Sequence, residues 1–308
     1  MTSPRPFSSA VSIVLPAFNR AGSIRMAVES VLQQSFSDFE LLVVDDGSTD
    51  GTMAQLADIT DPRVQLLANP RNMGASAARN TGIRAARGDW VAFQDSDDEW
   101  LPQKLAKQME RLAAEPGKAI ACYCGMAIVG APENIPGSRT TIRYIPDQTI
   151  ATVEGNLLEQ LLARSFISTQ TLVVRRTALL EIGGFDEALP ALEDWDCAIR
   201  LSLRGMFAFV DEPLALQYFS ENSITRSREK RVQALSGILE KHHELLTSYP
   251  HVLANHLVSL AGARRQLGEY ASAKRALADA RLLRPADPMI LVRLAYLSML
   301  AALPHRRP

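Results

Sequence analysis

The sequence predicts an α/β protein: an open, Rossmann-like, mostly parallel sheet flanked by helices, followed by a helical C-terminal annex. Three observations carry that expectation. Strand and helix signals alternate through the first hundred residues, the pattern of a parallel sheet covered on both faces. The strand candidates are continuously apolar, as strands buried on two sides are. From about Val232 the character changes to helix after helix, rich in Leu, Ala, Arg and Glu.

Residues 11–15 (VSIVL) form the first expected strand, punctuated by Pro16 and Asn19. Residues 21–34 place Ile24, Ala27, Val28, Val31 and Leu32 at helical spacing. Residues 39–44 (FELLVV) are a second strand that stops at Asp45-Asp46-Gly47-Ser48. Residues 52–59 read as a helix, with capping candidates in 48–50. Residues 64–67 give a third strand, 74–86 a small-residue helix, and 90–94 (WVAFQ) a fourth strand. Residues 101–114 read as a helix and 119–129 as a strand. The Pro-, Gly- and Thr-rich segment 131–150 reads as a loop. Helix, strand and short helix are expected over 155–163, 170–175 and 177–181, the last ending at Gly183-Gly184. A further helix spans 194–203 and stops at Gly205. Residues 268–288 resemble half of a tetratricopeptide repeat, but one partial repeat makes no solenoid, so an annex is expected. The expected division is a catalytic domain over 1–228 and a helical region over 229–308.

The 308 residues, 47% hydrophobic and 22% charged, are ordinary for a globular chain. A formal net charge of −1 gives no global basic field, so no nucleic-acid partner is expected. Cys122, Cys124 and Cys197 include one C-x-C without a second ligand pair, which fits buried thiols in a reducing compartment better than zinc. No signal peptide is supported, and residues 289–303 are too short for a membrane span and carry Arg293. That stretch reads as a packed helix; a surface-bound amphipathic helix followed by His305, Arg306 and Arg307 is the second reading. The expected location is cytoplasmic, with peripheral contact at the inner face of a membrane as the alternative.

In an open parallel sheet, ligands bind beyond the carboxyl ends of the strands. Three polar clusters fall there: residues 16–19 (PAFN), 45–50 (DDGSTD) and 95–99 (DSDDE). The last could complement a helix dipole near Leu101, but that does not explain Asp95 at the mouth of a buried strand. Hard carboxylate oxygens spaced D-x-D suit Mg2+ or Mn2+ together with diphosphate oxygens. The 45–50 cluster is a good loop and capping sequence on its own; alternatively, a carboxylate at this strand end accepts hydrogen bonds from a base or ribose, with Asp46 the candidate. Arg79, in N-x-G-x-x-x-A-R-N, either pairs with a carboxylate or diphosphate at the same rim, or is a surface arginine on an Ala-rich helix. No G-x-G-x-x-G follows the first strand, which speaks against a dinucleotide-dependent dehydrogenase.

Together these motifs resemble family 2 glycosyltransferases. The resemblance runs from VSIVLPAFN (11–19) through VVDDGSTDGT (43–52), NMGASAARNTG (72–82) and FQDSDDEW (93–100) to GGFDE (183–187) and LEDWD (192–196), and covers roughly residues 9–226. It implies a GT-A fold, a nucleoside-diphosphate sugar and inversion at the anomeric carbon. It implies that Pro16, Ala17 and Phe18 line the nucleoside pocket, that Asp46 reads the base and that Arg79 supports that site. Asn19, Gly74 and Ser96 are counted with these donor-binding residues. Asp95 and Asp97 would form the D-x-D element, Asp97 as direct metal ligand. Asp194 would be the general base, with Gly184, Phe185, Asp186, Glu193 and Trp195 on the acceptor side. A base opposite the leaving diphosphate is what direct displacement requires, although Glu193-Asp194 could also simply cap a helix.

Three departures qualify the resemblance. The Q-x-x-R-W element of processive synthases is absent, since Asp196-Cys197-Ala198-Ile199-Arg200 follows Trp195. No transmembrane helices are expected, which argues for single or limited additions. Ser220 stands where many relatives carry a histidine, so either Glu221 or water completes a metal site or metal binding is weaker than in those relatives. The expected partners are a UDP- or dTDP-sugar and a glycan or lipid-linked acceptor in cell-surface polysaccharide synthesis. The alternative is a catalytically weak nucleotide-sugar-binding scaffold that uses its helical C-terminus for partners.

Overall fold

The computed structural model describes residues 10–115, 117–130, 141–147, 149–218 and 227–302. The chain divides into two compact units, the first built from residues up to 161 with 165–187 and 193–221, the second from 162–164, 188–192 and 222 onward.

The first unit is centred on a mixed sheet. Strand β1 (Val11–Ala17) lies between β2 (Phe39–Asp45) and β4 (Trp90–Phe93), and β3 (Val64–Ala68) extends the β2 side; all these pairings are parallel. Beyond β4 come β8 (Leu172–Arg175), β6 (Ala119–Gly130), β9 (Met206–Tyr218) and the two-residue β5 (Glu99–Trp100). β8 is antiparallel to both neighbours, whereas β9 runs parallel to β6. A short strand β7 (Thr141–Ile145) pairs with β6 inside the segment expected to be a loop.

Odd-numbered residues of β1 and β2 pack with α1 (Ile24–Leu32) and α3 (Lys104–Ala114) in one core: Ile13, Leu15, Leu41 and Val43 meet Ala27, Val28, Val31 and Leu105. The opposite face carries α2 (Ala75–Ala85), whose Gly82 sits against Val14; a Cβ there would lie 2.4 Å from Val14 Cγ1. A small helix face thus lets the backbone approach the sheet. Residues 52–59, expected as an α-helix, shorten to a 3-10 helix at Thr52–Leu56, started by Asp50 Oδ1, which accepts from Thr52 N at 3.0 Å. The chain then adds α4 (Leu158–Ala163), α5 (Arg176–Glu181) and α6 (Glu193–Ser202). All three cysteines are buried free thiols.

The second unit is helical: α7 (Arg228–Lys241), α8 (His243–Thr247), α9 (Pro250–Gln266), α10 (Tyr270–Leu283) and α11 (Pro288–Ala302). Pro250 and Pro288 stand in the first turns, where no amide donor is needed. Small residues let α9 and α10 pack closely: Ala261, Ala273, Ala276 and Ala280 join Leu277, Ile290 and Leu297 in a separate core. Among the described residues no helix is long and apolar enough to cross a membrane.

Candidate active site

The carboxyl ends of β1, β2 and β4 come together because parallel register places Ala17 beside Asp45 and Val14 beside Phe93, with Gln94 N donating to Val14 O. The loops that follow β1 and β2 are laced together. Asn19 N donates to Ser48 Oγ at 3.0 Å, Thr49 N to Asn19 Oδ1 at 2.9 Å, and Ala21 N to Asp50 Oδ2 at 3.0 Å. Pro16 and Ala17 are buried at the end of β1, and Phe18 and Asn19 are exposed at the rim.

Asp46 is 2% exposed and its carboxylate is fully engaged. Oδ1 accepts from Asn69 Nδ2 at 2.7 Å, Oδ2 from Gly74 N at 2.8 Å, and Met73 N reaches both oxygens. Asp46 thereby folds the 72–74 turn against the end of β2.

Of the two readings of Arg79, a surface arginine or a partner of carboxylates at the rim, the structure has the second. It is buried, 6% exposed. One guanidinium nitrogen donates to Asp95 Oδ1 at 2.8 Å and the other to Glu193 Oε1 at 2.8 Å. Its Cζ lies 5.4 Å from the Phe185 ring centroid. Burial opposes the guanidinium charge, but the two carboxylates outweigh it and its pKa is raised. The bridge joins residues nearly a hundred positions apart: the strand-end acid Asp95 and the start of α6.

The acidic turn after β4 is differentiated residue by residue. Asp95 and Asp97 stay partly exposed, and Asp97 Oδ2 lies 3.6 Å from Arg20 Nε. Ser96 is buried. Asp98 is buried, with Oδ2 accepting from Gln170 Nε2 at 2.9 Å and Oδ1 from Tyr218 N at 3.2 Å. Burial, with Asp95 and Asp97 adding repulsion, pushes its pKa upward, against the pull of the Tyr218 amide and the Gln170 side chain.

Asp194 occupies the first turn of α6, partly buried, with Oδ1 accepting from Trp195 N at 2.7 Å. Burial and the adjacent Glu193 push its pKa up to about 7, against the pull of the Trp195 amide and Arg79. A carboxylate poised near neutrality suits proton abstraction. Trp195 is buried and donates from Nε1 to Leu161 O at 2.5 Å.

The Gly184–Glu187 stretch is clamped by Asn80, a contact the sequence reading did not assign. Asn80 Oδ1 accepts from Phe185 N at 2.8 Å, and Nδ2 donates to Phe185 O at 2.9 Å and Glu187 Oε1 at 2.8 Å. Gly184 has φ +73°, and a Cβ there would lie 2.3 Å from Asn80 Oδ1, so both conformation and space demand glycine. Phe185 is buried edge-on to Phe93 at 5.2 Å, and Asp186 is partly buried. The available signal was an asparagine beside Arg79 on a helix of small residues, since neighbouring helical positions point about 100° apart.

Among the described residues no three His, Cys, Asp or Glu side chains converge on a metal position. Ser220 and Glu221 lie outside the described residues, as do 131–140 and 305–307. Asp95 and Asp97 provide hard oxygen donors at an open rim, a set that fits a cation drawing its other ligands from diphosphate and water.

Comparisons with known proteins give the chain's family and fold. The family model described as "Glycosyl transferase family 2" matches residues 12–181. The succinoglycan biosynthesis protein ExoO of Rhizobium meliloti is 33% identical over 241 residues, 78% of this chain and 68% of that protein. The UDP-Glc:alpha-D-GlcNAc-diphosphoundecaprenol beta-1,3-glucosyltransferase WfgD of Escherichia coli is 41% identical over 102 residues, 33% of this chain and 40% of that one. The mannosyltransferase PcManGT of Pyrobaculum calidifontis, solved with GDP-Man and Mn2+, superposes with a TM-score of 0.63 at 21% identity, covering 97% of this chain and 82% of that one. That likeness establishes the GT-A-like fold.

Proposed function

Because the chain belongs to glycosyl transferase family 2, and is therefore a glycosyltransferase, we propose that it passes single sugars from a nucleoside-diphosphate sugar to a hydroxyl of a glycan or lipid-linked acceptor, with inversion at the anomeric carbon. The observation that carries this reading is the buried Arg79 bridge. It places Asp95 of the D-x-D turn and the first turn of α6, which bears Asp194, around one guanidinium.

The acceptor oxygen attacks the anomeric carbon, its proton passes to the Asp194 carboxylate, and the bond to the diphosphate breaks with its electron pair leaving on oxygen. The Trp195 amide holds one Asp194 oxygen and so orients the other. Asp95 and Asp97 would hold Mg2+ or Mn2+, which when bound neutralises charge on the departing diphosphate. Arg79 fixes Asp95 and lowers the repulsion between the acids of the two elements. Asp46 acts on the donor through the 72–74 turn, and Phe18 and Asn19 offer the exposed edge of the nucleoside site. Gly184, Phe185 and Asp186 belong to the acceptor side.

The UDP-Glc donor and the diphosphoundecaprenol acceptor in the E. coli relative's name support a UDP- or dTDP-sugar donor and a lipid-linked acceptor, used by a cytoplasmic enzyme or one peripheral at the inner face of the membrane. The succinoglycan relative supports a role in cell-surface polysaccharide synthesis. The catalytic region is proposed to span residues 1–228 and the helical region 229–308.

The test is a panel of nucleotide sugars screened for Mn2+-dependent thermal stabilisation, since a ligand at about 100 Kd stabilises by about 2.7 kcal/mol. One uridine or deoxythymidine diphosphate sugar is expected to stabilise the chain with Mn2+ and not with EDTA. Asp97→Ala should remove that shift. Metal-independent stabilisation that survives Asp97→Ala contradicts the metal assignment.

A further inference from the structure

The second unit carries a feature that sugar transfer does not use. α11 is held by one face only: Ile290 and Leu297 are 1% and 2% exposed in the core with α9 and α10. On its opposite side Met289, Val292, Tyr296 and Met299 recur at helical spacing and are 55%, 60%, 48% and 69% exposed. Leu282 at the end of α10 is 81% exposed. An apolar row of this kind on a water-facing helix marks an interaction surface.

Its occupant is indicated by charge. The whole chain has a formal net charge of −1, yet residues 264–302 contain seven Lys or Arg against three Asp or Glu. Two of these arginines flank the apolar row. Arg293 is exposed on α11 itself, and exposed Arg265 of α9 sits with its Cζ 6.0 Å from the Tyr296 ring. A second copy docking through the same patch would gather the arginines of both copies, all of one charge, in one interface. A surface that is both apolar and anionic meets both features, and a bilayer containing acidic phospholipid is such a surface.

We propose that the outer face of α11, with Arg265 and Arg293 beside it, docks the chain on an anionic membrane surface. The helix lies in the interface and does not span it: its 15 residues reach about 22 Å, short of the ~30 Å hydrocarbon core. Tyr296, with an apolar ring and a polar hydroxyl, suits the headgroup boundary. The surface stands on its own observations and does not depend on the reaction assigned above.

The test is flotation of the full chain with vesicles of phosphatidylcholine alone and of equal parts phosphatidylcholine and phosphatidylglycerol. Binding is expected on the mixed vesicles, with little on phosphatidylcholine, and is expected to weaken as salt rises. Val292→Asp with Met299→Asp should abolish it. Arg293→Ser should weaken it about fivefold, the effect of one basic residue near such a surface. Both substitutions lie on exposed positions, and unchanged circular dichroism and donor hydrolysis would show the fold and the active site intact. No binding by the unaltered chain, or binding unchanged by the paired aspartates, overturns the proposal. So does a dimer in solution that the paired aspartates dissolve, because the face would then belong to a second copy.

Discussion

At the residue scale the site is governed by a few charges at short distances. Asp194 is pushed up to about 7 by burial and Glu193, and a base must be unprotonated to work. Transfer should therefore rise with pH through about 7 and level off above it, read from kcat/KM across a pH series. Arg79 pulls that value down, so replacing it with Met should move the acid limb to higher pH and leave a slower enzyme on the plateau. A limb that stays in place would show that Arg79 does not sense the ionisation of Asp194. Arg79→Lys is no rescue, since one ammonium cannot reproduce the fork that reaches Asp95 and Glu193 at once. Sequence spacing was enough to locate Asp95, Asp97 and Asp194 at strand and helix edges. It could not reveal that Asp46 spends its oxygens on a backbone turn, because Met73 N, Gly74 N and Asn69 become neighbours only after folding.

At the element scale α2 does two jobs from adjoining positions. Its Gly82 face lies on the sheet, and its Asn80 clamps the segment 184–187. Gly82→Ala should gain about 1 kcal/mol of helix propensity but add a methyl where Val14 already sits, at a cost of about 1–3 kcal/mol. A lower denaturant midpoint is expected, and a higher one would contradict the close packing. Asn80→Ala should loosen Phe185 and raise the acceptor KM about 10- to 100-fold with donor affinity unchanged; a loss confined to donor binding would remove 184–187 from the acceptor side. The buried strands β1, β2 and β4, and the partly exposed β3, were legible because they are short apolar runs. β9 was not: Asp211, Glu212 and Pro213 interrupt its pattern, and its register with β6 shifts at Gly125 opposite Pro213, a residue that cannot donate to the ladder. β7 escaped notice because it pairs only with β6 and leaves Ile142 73% exposed.

At the scale of the whole molecule, a parallel half-sheet supplies a rim of carboxyl ends, and a buried arginine joins that rim to a helix from much later in the chain. The GT-A-like fold was legible from the ordered motifs, as was the change to helices near Val232. For 289–303 the sequence left two readings, a packed helix and a surface-bound one, because its hydrophobic residues are spread around the whole helix and only packing separates an inner from an outer side. The proposed donor clamp, Asp95 with Asp97, and the proposed proton acceptor, Asp194, are separate groups on one rim. Donor affinity and single-turnover transfer measured side by side for the parent and Asp194→Asn test this most directly. The account predicts donor affinity within about twofold and transfer slower by about 10²- to 10⁴-fold; a collapse of donor affinity, or transfer at the parent rate, would contradict it.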